Sequence, residues 1–192
     1  MKLNNRRTIL VGLAFLSICT FWQMYDSVMT LILTDTFHLN ETFAGAIMAA
    51  DNVLALFLLP FFGALSDKTS TGIGRRMPFI VGGTAAAAIL MNLIPLLDDR
   101  YAANPAPGTL ALFIVVLGLL LVAMGTYRSP AVALMPDVTP KPLRSRANAI
   151  INLMGAVGGI LYLGLAAVLY PASKTKGLAH VSYRPLFFIV SM

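Results

Sequence analysis

The stretch GALSDKTSTGIGRRMPF, Gly63–Phe79, sets Asp67, Lys68, Arg75 and Arg76 among glycines, between two long apolar runs. Its place relative to a membrane decides the fold. The 192-residue chain is 58% hydrophobic and only 11% charged. A soluble domain is nearer 45–50% apolar and about 25% charged. Half that charge cannot cover a soluble surface, so the composition indicates an integral membrane protein. The single cysteine, Cys19, excludes an intrachain disulfide framework.

A bilayer core of about 30 Å is crossed by about 20 mostly apolar helical residues. Five such runs stand out: Ile9 to Leu33, Phe43 to Leu65, Pro78 to Leu97, Leu110 to Pro130 and Ala147 to Tyr170. A sixth opens at Pro185 with PLFFIVSM and stops with the chain. That last run is too short to cross a bilayer. A fragment or truncated product, ending within a sixth helix, is therefore expected. The start, MKLNNRRTILVGLAFLSICTF, has the charged and apolar parts of a signal peptide but no small-residue cleavage site, and reads as a retained first helix. Connecting loops are expected at DDRYAANPAPG, MPDVTPKPLRSR and PASKTKGLAHVSY, each with turn-forming residues.

Basic residues orient the spans. With the N-terminus cytoplasmic, Lys2, Arg6, Arg7, Lys68, Arg75, Arg76, Lys141, Arg144 and Arg146 lie inside. Arg100, Lys174, Lys176 and Arg184 lie outside. This bias accounts for the net charge of +6 without a nucleic-acid partner. Gly63–Phe79 then lies at the cytoplasmic side, between the second and third helices.

Ionisable side chains within the spans are costly there and usually face a cavity or a partner. Asp26 shares a helical stripe with Gln23, Ser27 and Thr30. The stripe reads as one wall of an aqueous cavity or as hydrogen-bonded glue between helices. Asp51, with Asn52, falls at a similar depth on the second helix. Close together in low dielectric, two carboxylates cannot both ionise easily, and one becomes a candidate carrier of a proton or cation. The other reading has the two facing apart, each with its own partner. Arg128, placed near the inner end of the fourth span, is expected either to snorkel to the headgroups or to pair with Asp67 or Asp137, as a structural or gating contact. Gly155 and Gly159 form a small-xxx-small pair for close helix packing.

Gly63, Asp67, Lys68, Gly74, Arg75 and Arg76 together resemble the loop between helices 2 and 3 of major facilitator superfamily transporters. The inserted TSTGI stretches the motif in a way similar to the sucrose-transporter-like and glycoside–cation symporter branches. RSPAVALMPDVTPKPLRSRANAIINLMGAVGGIL is similar to their helix 4–5 region. Plant sucrose carriers place an arginine closer to the acid ending helix 4, whereas Arg128 and Asp137 here are nine apart. The resemblance implies an all-α membrane fold, with residues 1–192 as the N-terminal six-helix bundle of a twelve-helix transporter whose C-terminal half is missing. It implies alternating access, with substrate near the midplane. It also implies an inner gate of Asp67, Arg75 and Arg76 with Arg128, Asp137 and Arg144 as partners. The function expected is proton- or cation-coupled symport of a sugar in the cell membrane. Efflux of drugs or metabolites is an alternative, and a non-transporting receptor or assembly subunit is one of another class. No cofactor, metal site or enzyme activity is expected: no metal-spaced His/Cys cluster, nucleophile elbow or phosphate loop appears, and His38 and His180 fall in predicted loops.

Overall fold

The computed structural model describes residues 5–175, 178 and 180–192. Of the basic residues that orient the spans, Lys2 and Lys176 lie outside these. Helix α1, Asn5–Met24, continues through two π-helical turns, Tyr25–Met29 and Ile32–Thr36. Then follow α2 (Glu41–Lys68), α3 (Met77–Ala103), α4 (Pro107–Val138), α5 (Arg144–Leu169), a short α6 (Ala172–Thr175) and α7 (Arg184–Ser191). Among the described residues there is no strand. Also among the described residues, five helices are long and apolar enough to cross a membrane.

The helices run further than their apolar runs. Helix α2 has 28 residues and α4 has 32, about 42 and 48 Å at 1.5 Å per residue. Both exceed a hydrocarbon core of about 30 Å, so the ends tilt or project. The expected loop at DDRYAANPAPG is helical through Ala103, and only Asn104 to Ala106 connect α3 to α4. Aspartate, arginine and tyrosine do not break a helix; Pro105 stops α3 and Pro107 starts α4. MPDVTPKPLRSR is likewise mostly helical. Asn40 caps α2 through Thr42 N–H to Asn40 Oδ1 at 3.0 Å.

Helix α1 packs along α5, and α3 along α4; α4 also meets α2, α1 and α5. The core runs between them, with Phe21, Met24, Tyr25, Phe113, Leu120, Met124 and Phe187 almost fully buried. Helix α4 is apolar all round through its first half, as suits a central helix. Helix α2 is the opposite case. Only 6% of its most apolar window is buried, against 39% in α4, so its apolar outer face must meet lipid or other protein.

The α1–α5 seam is set by small residues. A Cβ on Gly158 would lie 2.4 Å from the Leu16 carbonyl oxygen, and one on Gly155 would lie 2.9 Å from Cys19 Sγ. Gly159 has room: its nearest neighbour would be Gln23 Oε1 at 3.8 Å. The close-packing pair is therefore Gly155 and Gly158, correcting the expectation of Gly155 and Gly159.

Candidate functional site

At one end of the bundle, Asp67 ends α2, Arg76 precedes α3 and Asp137 ends α4. Thr69 closes α2, its N–H and hydroxyl both donating to the Leu65 carbonyl. The chain reverses at Gly74, whose φ of +107° is strained for any residue with a Cβ. Thr71 brackets that turn, accepting from Gly74 N–H and donating to its carbonyl. This turn delivers Arg76 between two carboxylates: Nη2 lies 3.0 Å from Asp67 Oδ1 and Nε 2.6 Å from Asp137 Oδ2. Both carboxylates sit at helix C-termini, where the macrodipole disfavours anions. Their placement does not serve the helices that carry them; it serves the guanidinium. One planar fork holds three helix ends together.

The other motif residues divide. Gly63 lets α4 approach, since a Cβ there would meet Ser129 Oγ at 3.1 Å. Lys68 and Arg75 are exposed and make no ion pair among the described residues. Arg144 donates to the Pro136 and Thr139 carbonyls at 2.8 and 3.3 Å, capping the end of α4 rather than pairing with a carboxylate.

Arg128 is elsewhere, against expectation. Because α4 continues through Pro130 to Val138, Arg128 lies about 15 Å from that helix end. It cannot join Asp67 or Asp137. Its guanidinium stacks over Trp22 at 5.1 Å from the ring centroid. Arg128, Trp22 and Asp51 line one small cavity of about 20 Å³, closed by Leu58, Leu121 and Gly125. Asp51 is 7% exposed, and its Oδ1 lacks a hydrogen-bond partner. Trp22 Nε1 and the Tyr25 hydroxyl are also buried and unpartnered. Three unsatisfied polar groups and a cation thus meet within membrane-crossing helices, where such groups are rare without a function.

Asp26 and Asp51 each lie ten residues inward of their helix ends, Thr36 and Glu41. They are electrostatic neighbours, as Asp51 and Arg128 are. They face differently, however: Asp51 is buried, whereas Asp26 and Asn52 are exposed and Gln23 is half-buried. The Ser27, Thr30 and Thr34 hydroxyls donate back to carbonyls four residues earlier. The π-helical turns give this part of α1 a wider spacing than the sequence periodicity assumes, a feature frequent at functional sites.

At the opposite end, a cavity of about 530 Å³ is lined by Asp35, Tyr162, Tyr170 and Tyr183, among others. Tyr170 and Tyr183 pack at 5.3 Å, and the Tyr170 hydroxyl donates to the Ser182 carbonyl at 3.0 Å. Burial, then the negative charge of Asp35, pushes the Tyr183 hydroxyl up to about 12, keeping it a neutral donor. Nearby, His180 lies in a loop as expected, but that loop folds onto Asp98 and Asp99 of α3. No spacing rule reveals that cluster, because some 80 residues separate its parts.

The family model described as Major Facilitator Superfamily matches residues 11–191. Sucrose transport protein SUC3 of Arabidopsis thaliana is 30% identical over 73% of this chain and 25% of its own length. Sucrose transport protein SUC4 of the same plant is 29% identical over 83% of this chain and 33% of its own length. An uncharacterized symporter of Synechocystis is 28% identical over 70% of this chain and 26% of its own. The chain thus spans about a quarter to a third of the length of these relatives. No solved structure matches it.

Proposed function

The chain belongs to the major facilitator superfamily, and from that premise we propose that it forms the N-terminal bundle of a sugar transporter. The transporter imports a disaccharide or glycoside with a proton or small cation, by alternating access. It is a carrier, not an enzyme, as its relatives' names also suggest. It sits in the cell membrane with the N-terminus cytoplasmic. The exposed apolar face of α2 meets lipid and a second bundle.

The observation that carries this reading is Asp51, buried in a membrane-crossing helix with an unpartnered Oδ1 beside Arg128. Empty, the carboxylate is balanced by the guanidinium across the cavity. A proton or cation taken up by Asp51 cancels that attraction and frees Arg128 for a sugar hydroxyl. Loading of ion and sugar are thereby linked. Asp26, Gln23 and Asn52 line the wall through which ion and sugar reach Asp51. Tyr162, Tyr170 and Tyr183 offer aromatic faces in a cavity within the usual 300–1,000 Å³ of small-molecule sites. The Asp67–Arg76–Asp137 network is the inner gate, where exposed ion pairs exchange readily with water.

The test is sucrose uptake into proteoliposomes under an imposed pH or cation gradient. Asp51→Asn should abolish gradient-driven accumulation and spare sugar exchange. Gradient-driven accumulation that survives Asp51→Asn removes Asp51 from the coupling step. Export of sugar under the same gradient would favour efflux instead.

A further inference from the structure

We propose that the end of the bundle opposite Arg76 carries a divalent transition-metal site, built from Asp98, Asp99 and His180. Asp98 has no exposed surface, and neither of its carboxylate oxygens makes a well-formed hydrogen bond; its polar neighbours are the Thr36 hydroxyl and His180. A buried carboxylate with so little hydrogen bonding is costly, and a bound cation would offset that cost. Its Oδ2 points at His180 Nε2, 3.7 Å away. Asp99 Oδ1 approaches the same nitrogen at 2.9 Å. One ligand atom from each residue lies within 4.8 Å of the others. A tetrahedron with bonds of 2.0–2.2 Å has edges of about 3.3–3.6 Å. With separations of 2.9 and 3.7 Å to His180 Nε2 and none above 4.8 Å, the three atoms reach that spacing by shifts of up to about 1 Å.

The surroundings complete the site. Thr36 Oγ1 is 3.4 Å from His180 Nδ1. It can accept from Nδ1–H, and in that tautomer the Nε2 lone pair is free for a metal. Arg184 Nε and the Ser182 hydroxyl hold the other Asp99 oxygen, Oδ2, at 2.5 and 2.9 Å, leaving Oδ1 available. A cavity of about 170 Å³ along His180, Thr36 and His38 gives access and room for a water as fourth ligand. Two carboxylates neutralise a dication. The imidazole selects Zn²⁺ and its neighbours over Ca²⁺ and Mg²⁺, which prefer oxygen. The bound ion would clasp the loop before α7 to the end of α3 and, through Thr36, to the end of α1. This inference does not depend on the transport reading.

The experiment is a Zn²⁺ titration of the purified chain in lipid nanodiscs by calorimetry, with Co²⁺ absorption reporting the ligand set. One saturable Zn²⁺ site is expected, with Ca²⁺ unable to compete. His180→Gln and Asp99→Asn should weaken it by more than about 100-fold, beyond the 10–100-fold loss typical of an outer-shell partner. Thr36→Val should weaken it about tenfold. Asp98→Asn should also lose the site, yet unfold in metal-free buffer no earlier than the wild type. His38→Gln should bind as the wild type does. Absence of saturable binding, retention in His180→Gln, loss in His38→Gln, or equal competition by Ca²⁺ would each overturn the proposal.

Discussion

The seam between α1 and α5 offers the sharpest quantitative test, because α1 carries Trp22, Tyr25 and Asp26. In Gly158→Ala the added Cβ would lie 2.4 Å from the Leu16 carbonyl oxygen and 2.8 Å from Thr20 Oγ1. The Leu16 oxygen is backbone and cannot rotate away, so the seam must open by about 1 Å to reach ordinary contact at 3.4 Å. Overpacking of this kind costs about 1–3 kcal/mol. Opening also lengthens the Thr20 hydroxyl contact to the Gly158 carbonyl, now 3.1 Å, although Thr20 keeps its bond to Leu16 at 2.8 Å. Against this, alanine exceeds glycine in helix propensity by about 1 kcal/mol. The net expectation is a loss of up to about 2 kcal/mol, or up to roughly 8 °C in Tm for a chain of this size, and about 1–3 kcal/mol relative to Gly159→Ala. Gly159→Ala gains the same propensity with its nearest contact at 3.8 Å, so its Tm should hold or rise. Thermal unfolding of both variants in nanodiscs, followed by tyrosine and tryptophan fluorescence, measures the difference. If Gly158→Ala is as stable as Gly159→Ala, the described approach of α1 to α5 is wrong.

Two further outcomes are expected. Arg76→Lys keeps the charge but loses the fork, so it should hold Asp67 or Asp137 but not both; hydrogen exchange across Thr69–Arg76 should rise in Arg76→Lys and rise further in Arg76→Ala, and equal exchange in all three would deny the bridge. Trp22 is the single tryptophan, so its emission reports the cavity alone: Arg128→Met should change its intensity and wavelength by removing a contact of about 0.5–2 kcal/mol, and any pH-dependent step in that emission should vanish in Asp51→Asn.

Apolar runs announced five spans, because a bilayer demands about 20 such residues whatever the tertiary packing. Their ends were less legible. Hydropathy falls where the membrane stops, but a helix stops only where a breaker or cap appears. That difference moved Arg128. Ended at Pro130, the fourth span puts Arg128 near its inner end, in reach of Asp67 and Asp137. Carried on to Val138, it sets Arg128 beside Trp22 and Asp51. Asp67 and Arg76 were legible because one short turn joins them and Gly74 marks it. Asp137 as the second partner of Arg76 was expected only as one of several. The distinction between Arg75 and Arg76 was not visible, since it depends on which residue the turn points inward. The π-helical turns, the choice of Gly158 over Gly159 and the Asp98–Asp99–His180 cluster were all hidden. The last two depend on how elements distant in sequence meet.

The two ends of the bundle are fastened by different physics, and the difference bears on how such a bundle would open. Beside Arg76, the side chains of Asp67 and Asp137 are 57% and 39% exposed. Water replaces each contact when it breaks, so separating either pair costs about 1 kcal/mol or less and falls with added salt. At the far end Asp98 is wholly buried, with no well-formed hydrogen bond to either oxygen. Opening there hydrates a carboxylate that burial had penalised, which offsets part of the loss of the His180, Arg184 and Ser182 contacts to Asp99. Occupancy by a divalent ion would tighten the clasp, because separating the ligands then breaks coordination bonds. Salt should therefore loosen the Arg76 end and a transition metal should tighten the His180 end, each without acting on the other. Hydrogen exchange resolved to Thr69–Arg76 and to residues 180–184, measured with NaCl and with Zn²⁺ in turn, separates the two effects. A single coordinated response at both ends would mean that the fastenings are coupled through α1 and α4 rather than independent.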